Sequence, residues 1–190
     1  MKKLFIAVVF LAAVLCAANV FAAGVTQSIG VTATIPSTAS MTVTVSKIVS
    51  STWTTTSEIA FGSLSWDSVN KMFLPSDGGY YAVDIVVNDT ASTWTLTHTR
   101  SSLASGLSTL DNNVNVTFCN KTSSSAETTL SKVSYANSDN VAYTNSILTN
   151  SWLRIYYGIA TGSSDASGVS TIGSGAIAGT YSGTVTLTLS

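Results

Sequence analysis

The sequence predicts an all-β fold, a single immunoglobulin-like antiparallel β-sandwich with an N-terminal extended arm, and a β-barrel is the alternative architecture. Apolar residues alternate with Ser and Thr along most of the chain, which is the pattern of half-buried strands. Clusters of Gly, Asn, Asp and Ser separate these segments, as turns do. Beyond the N-terminus, no window of about 11 residues shows a helical period. The 190 residues suit one domain.

The N-terminus has the three parts of a secretory signal peptide. Met1-Lys2-Lys3 is positively charged, the run from residue 4 to residue 18 is apolar, and Val20-Phe21-Ala22 places small residues at a cleavage site. The apolar run is too short for a membrane-spanning helix. Residues 1–22 are therefore predicted to be a cleaved signal. Export through the periplasm to the cell surface or the extracellular space follows.

Residues 23–36 are predicted to form an extended arm ahead of the sandwich, which spans residues 37–190. Four large apolar side chains share one face of this arm: Val25, Ile29, Val31 and Ile35. Pro36 ends the segment because proline lacks the N–H that a strand ladder needs.

The remaining strands follow in order, each identified by β-branched and aromatic residues in alternation. The first begins near Met41, with Val43 and Val45 on the same face. Further strands are predicted at residues 58–61, 80–87, 93–99, 114–119, 132–135, 152–159 and 179–189. Residues 102–110 have room for one helical turn, and the Gly- and Ser-rich stretch 161–179 is predicted to be a loop.

Charged residues make up only 9% of the chain, which leaves little material for catalysis. The nine acidic residues are scattered singly, and a glycosidase needs two carboxylates facing one bond. Asp84 is the residue that folding could bring beside a second carboxylate. Asp111-Asn112-Asn113 supplies too few alternating oxygens for a calcium loop and reads first as a turn. No enzyme activity, cofactor or metal is predicted.

The one cysteine that remains after signal cleavage, Cys119, has no partner for a disulfide. Its strand-like surroundings predict a small buried or half-buried side chain. A catalytic thiol needs a base, and His98 lies in an alternating strand pattern without a recognisable companion. Eight Lys and Arg against nine Asp and Glu provide no basic face, so nucleic acid is not an expected partner.

Two of the four tryptophans are candidate glycan contacts. Trp53 and Trp66 lie in polar surroundings, where an exposed ring is available to stack on a sugar. Trp94 and Trp152 stand within strand patterns and are predicted to fill the interior.

Three segments resemble the family of spore coat protein U and the chaperone–usher pilins. They are Ile59-Ala60-Phe61-Gly62-Ser63-Leu64, the pair formed by residues 81–87 and Thr93-Trp94-Thr95-Leu96, and the final run Gly179-Thr180-Tyr181 followed by Val185, Leu187 and Leu189. The resemblance implies a secreted β-sandwich that polymerises with copies of itself. It also implies a periplasmic chaperone and an outer-membrane usher as partners.

The expected function is a non-enzymatic structural subunit of an extracellular fibre, pilus or surface coat. In donor-strand exchange, the arm of one subunit fills an apolar groove of the next. An arm that folds back and completes its own sandwich is equally compatible with the sequence. The alternative function is a monomeric carbohydrate-binding or adhesive cell-surface module, with surface glycans as partners.

Overall fold

The computed structural model describes residues 40–88, 95–122, 127–136, 141–144 and 151–190, and their regular secondary structure is almost entirely β. The predicted signal peptide (residues 1–22) and arm (residues 23–36) lie outside the described residues. From Met41 onward the described residues belong to one compact unit.

The described residues form thirteen strands and one short 3-10 helix. The strands are β1 (Ser40–Val49), β2 (Thr52–Thr56), β3 (Leu64–Asp67), β4 (Met72–Pro75), β5 (Tyr80–Asn88), β6 (Thr95–Arg100), β7 (Ala104–Ser105), β8 (Ser108–Thr109), β9 (Val114–Thr122), β10 (Thr128–Ser134), β11 (Val141–Thr144), β12 (Ser151–Ile159) and β13 (Val185–Leu189). The helix is Asp111–Asn113. The all-β prediction is confirmed.

Two main sheets face each other, which makes the fold a sandwich. One has six strands in the order β10-β9-β12-β5-β1-β2, and the other has three in the order β11-β6-β13. The hairpins β3–β4 and β7–β8 form two small sheets of their own. β12 lies inside the larger sheet and pairs antiparallel with both β5 and β9.

Strand alternation sends one side of each main sheet into a shared core. Leu153, Ile155 and Tyr157 of β12 are buried there, with Val116 and Phe118 from β9. The smaller sheet contributes Leu96 from β6, while Val185 and Leu187 from β13 are partly buried against the same core. Full burial of each large apolar side chain contributes about 1.5–3 kcal/mol, so this cluster supplies the main stabilisation.

A hydrogen bond between two buried side chains links the sheets. Nε2 of His98 in β6 lies 2.7 Å from the hydroxyl oxygen of Tyr157 in β12. The imidazole also meets the ring of Phe118 edge to face, with the centroids 5.4 Å apart. Burial, with a smaller contribution from the charge of Arg100, lowers the pKa of His98 to about 4. The ring is therefore neutral in the core at neutral pH.

The strand predicted at residues 58–61 is wrong. The hydroxyl of Tyr81 donates a hydrogen bond to the carbonyl of Ala60, and the ring of Phe61 packs edge to face on Tyr81. These contacts anchor the segment to the core through side chains, without a strand ladder. Gly62 then takes a positive φ of 68°, which turns the chain toward β3.

The last strand begins at Val185 and not at Gly179 as predicted. Ser182 forms an isolated bridge with Ala104, which draws the chain away from the β6 ladder. At Gly183 a Cβ atom would come within 2.9 Å of the carbonyl oxygen of Ser102. This close approach of two backbones requires glycine. The predicted loop over residues 161–179 and the strands corresponding to β1, β5, β6, β9, β10 and β12 are confirmed, with shifts at their ends.

His98 should make the fold sensitive to mild acid. The ordinary pKa of histidine is 6.5 and the folded value is about 4, so between these pH values the unfolded chain binds a proton that the folded chain does not. Stability is fully present above about pH 6.5 and falls as the pH drops toward 4, by about 3 kcal/mol in all. Urea unfolding across this range measures the loss.

His98→Gln is the matched variant because glutamine is polar but does not titrate. We expect it to be less stable than the natural protein at pH 7 and to lose less stability between pH 6.5 and pH 4. If the two proteins showed the same slope of unfolding free energy against pH, another group would control the acid response.

Candidate functional site

The second face of the six-stranded sheet, directed away from the core, carries an unusual group of side chains. Because Leu153, Ile155 and Tyr157 point inward, the alternate residues Trp152 and Arg154 of β12 point outward. Arg154 lies opposite Asp84 of β5 on one side and opposite Cys119 of β9 on the other.

Arg154 is buried on this outer face, with 7% of its surface exposed, and it is held by two carboxylates. Its Nε and Nη2 atoms donate to the two carboxylate oxygens of Asp84 at 2.5 and 2.8 Å. Its Nη1 atom donates to Glu127 at 2.5 Å. The hydroxyl of Tyr156 also donates to Glu127, at 2.9 Å. The hydrogen bond to Asp84, more than any other contact, raises the pKa of the guanidinium, which stays charged.

Aromatic rings surround the same guanidinium. The Cζ atom of Arg154 lies 4.5 Å from the ring centroid of Trp53, 5.1 Å from that of Trp152 and 5.7 Å from that of Tyr156. Such cation–π contacts are strongest where the cation is shielded from water, as it is here. We call Trp53, Asp84, Glu127, Trp152, Arg154 and Tyr156 the Arg154 cluster.

A second buried layer lies on this outer face. Trp53 stands directly opposite Ile48, so both side chains are on the same side of the sheet. Ile48 is 1% exposed, and Ala82 and Cys119 on the same face are 1% and 3% exposed. None of the three belongs to the main core cluster. Part of the outer face is therefore buried around Arg154, while the ring of Trp53 remains exposed.

The structure brings Asp84 beside a second carboxylate, Glu127, but not as a catalytic pair. Both carboxylates are bound to one guanidinium, whose single positive charge offsets one of their two negative charges. Burial raises the pKa of Tyr156 to about 12, so its phenol keeps its proton at neutral pH. A general acid or base needs a pKa near the working pH. The arrangement is suited to fixing aromatic surfaces, not to moving protons.

Cys119 and His98 are separated by the larger sheet. Cys119 is on the outer side with Arg154, while His98 contacts Phe118 and Tyr157 on the inner side. The thiol is buried and unpaired, and burial raises its pKa. The prediction of a buried strand cysteine is confirmed.

The predicted glycan-contact tryptophans are both exposed, but they lie in different sheets. Trp53 is 46% exposed on β2, within the Arg154 cluster. Trp66 is 39% exposed on β3, where its ring packs against Phe73 with centroids 5.0 Å apart. Trp152 does not lie in the core between the sheets as predicted, because its position in β12 places it on the outer face, where it is half-buried. Trp94 lies outside the described residues.

The turn at Asp111 is structural. Its carboxylate accepts hydrogen bonds from the hydroxyl of Ser102 and the backbone N–H of Leu103, each at 2.6 Å. In the described part of the chain, no three His, Cys, Asp or Glu side chains are grouped closely enough to hold a metal ion.

No family model, curated protein or solved structure matches this chain. Within the described ranges, no helix has the length and apolar character needed to cross a membrane.

One feature of the sequence does indicate this site. Arg154 is a lone charge in the middle of an apolar strand, flanked at alternate positions by Trp152 and Tyr156. A charge in such a strand is seldom buried without a partner. Its partners, Asp84 and Glu127, are 70 and 27 residues away in the chain, so only the fold identifies them.

Arg154→Leu should destabilise the protein by about 3–5 kcal/mol, because it leaves two carboxylates on a buried face without their counter-ion. Urea unfolding at neutral pH measures the effect. The triple variant Arg154→Leu, Asp84→Asn, Glu127→Gln should recover most of the loss, since the uncompensated charges are then absent.

Lys47→Leu is the matched control. Lys47 forms an ion pair with Asp77 at 2.5 Å, but both side chains are substantially exposed. Its removal should change stability little, because water screens exposed pairs. A triple variant no more stable than Arg154→Leu would show that lost packing, and not charge, is the cause.

Proposed function

We propose that this chain is a non-enzymatic structural subunit of an extracellular fibre, pilus or surface coat, and that the arm of one copy pairs with the β13 edge of the next. The observation that carries the proposal is the geometry of β13.

β13 is an edge strand with apolar side chains. Within the residues that the structure describes, it pairs only with β6. Ser190 and Thr95 exchange both of their backbone hydrogen bonds, at 2.7 and 2.9 Å. In an antiparallel ladder such pairs alternate, so Val185, Leu187 and Leu189 direct their N–H and C=O groups away from β6. All three side chains are half-buried.

An open edge of this kind is a template for a further strand. Natural proteins pair or cover such edges because uncovered ones cause aggregation. The predicted arm has the alternation that a pairing strand requires. Its apolar residues, Val25, Ile29, Val31 and Ile35, would contribute on the order of 6–12 kcal/mol if fully buried, before the cost of ordering the arm.

The composition supports close association between copies. Only 9% of the residues are charged, and Ser and Thr form much of the polar surface. Neighbouring subunits can then approach without burying unpaired ions. The signal peptide predicted at residues 1–22 supports secretion, and delivery by a periplasmic chaperone and an outer-membrane usher is part of the proposal.

Complementary variants test the exchange. Leu187→Pro removes an N–H from the free edge of β13 and leaves the β6 ladder intact, so this copy keeps its arm but cannot accept one. Val31→Asp places a charge in the arm, so this copy accepts an arm but cannot donate one. We expect the natural protein to form multimers that resist SDS and dissociate on heating. Each variant alone should be monomeric, and an equimolar mixture should form a 1:1 dimer by light scattering.

Leu130→Pro provides the matched control, because Leu130 lies in β10, the edge strand of the other sheet, at an irregularity of the β9 ladder. It should assemble like the natural protein. A natural protein that stays monomeric at every concentration with its arm protected from proteolysis, or a mixture without dimers, would show that the arm completes its own sandwich.

A further inference from the structure

Two exposed aromatic rings lie on the outer face of the six-stranded sheet. Trp53 is 46% exposed and Tyr80 is 42% exposed. Tyr80 shares this face because its neighbour Tyr81 pairs with Tyr157 and points into the core. A group of exposed rings on one face is a candidate surface for a ligand.

Both rings are held in place before any ligand arrives. The ring of Trp53 stacks on Arg154, and the ring of Tyr80 lies against that of Tyr156, with centroids 6.0 Å apart. Arg154 is fixed in turn by Asp84 and Glu127. A rigid surface loses little conformational entropy on binding, which favours affinity.

The position next to Tyr80 is free of a side chain. Gly158 continues the β12 register and stands beside Tyr80, and a Cβ atom added there would lie 3.7 Å from the Cβ atom of Tyr80. A bulkier residue would fit the strand but would project over this part of the face. The glycine therefore leaves the part of the face beside Tyr80 free of a side chain.

The charges of the Arg154 cluster and of the adjoining Lys121 balance. Lys132 on the same face, and Asp165, which bonds to Asn115 there, add one charge of each sign. Arg154 and Lys121, whose ammonium lies 5.2 Å from the ring centroid of Trp152, carry two positive charges. Asp84 and Glu127 carry two negative ones. A phosphate or a polyanion would find no net attraction here, while the carboxylate and ammonium groups can bond to hydroxyls. The electron-rich ring faces attract polarised C–H groups.

These features suit an uncharged ligand that has flat faces of C–H groups and hydroxyl groups along its edges. We propose that the outer face binds a neutral polysaccharide, with Trp53 and Tyr80 stacking on its pyranose rings and Gly158 providing the clearance. This binding does not depend on the fibre role, since it uses the larger sheet and not the β13 edge.

Affinity electrophoresis of the full chain in native gels tests the proposal, with hydroxyethylcellulose, galactomannan or dextran as neutral probes and polygalacturonate as the anionic probe. We expect at least one neutral probe to retard the natural protein. The double variant Trp53→Ala, Tyr80→Ala and the single variant Gly158→Val should each weaken that retardation by about tenfold or more. Gly158→Val keeps both rings, so its effect reports access to the face.

Trp66→Ala is the control, because Trp66 is similarly exposed but lies on the separate β3–β4 hairpin. It should bind like the natural protein. The proposal is overturned if no neutral probe retards the protein, if only polygalacturonate does, or if Trp66→Ala loses binding as much as the double variant. Multimers measured on the same samples separate this result from the fibre proposal, because either can fail while the other holds.

Discussion

The register of β12 against its two neighbours is the constraint on which both faces of the larger sheet depend. Leu153, Ile155 and Tyr157 enter the core only if Trp152 and Arg154 face outward. A slip of one residue would place a guanidinium between the sheets and three core side chains on the outside. The pairings with β5 and β9 oppose that slip from both sides, since Arg154 meets Asp84 only in the observed register.

Few side chains of this protein are charged, and some of the carboxylates bind backbone N–H groups in turns. Asp67 accepts hydrogen bonds from the N–H of Val69 and from Asn70, whose side-chain bond lowers the pKa of the carboxylate. Asp165 binds the N–H of Gly162 at 2.7 Å and the side chain of Asn115 at 2.6 Å. These bonds satisfy backbone groups in turns, where no ladder does so. The carboxylates of Asp67 and Asp165 are therefore part of the loop structure.

The strand content was predictable because alternation and turn residues are local signals. β5, β9 and β12 follow from them with small errors at their ends. The strands β2, β3, β4, β7, β8 and β11 were missed. β2 is a Thr-rich edge strand whose side chains are mostly exposed, and the others are only two to four residues long. The strand wrongly predicted at residues 58–61 has the right composition, but side-chain contacts with Tyr81 hold it in an irregular path. A local sequence pattern carries no information about such a tertiary contact.

The candidate site was less predictable than the fold, because its parts come from β2, β5 and β12 and from Glu127, just before β10. The exposure of Trp53 could be anticipated from its polar neighbours. The outward position of Trp152 could not be separated from an inward one by its strand pattern alone, since Leu153 beside it is equally apolar. The side of the sheet that Trp152 faces is decided by the burial of Leu153, Ile155 and Tyr157 together, which only the packed sheets determine.

The thiol of Cys119 can report how often one edge of the larger sheet opens. Its sulfur lies on the face that Arg154 occupies, opposite Thr129 of the edge strand β10. A thiol reagent in solution reaches this buried sulfur when β10 detaches or the aromatic side chains move away. The rate of labelling therefore measures how often such local openings occur. Cys119 is the one cysteine among the described residues, and the other, Cys16, lies in the predicted signal peptide. The fraying of one sheet edge can thus be timed separately from global unfolding, and a subunit locked in a fibre can be compared with one free in solution.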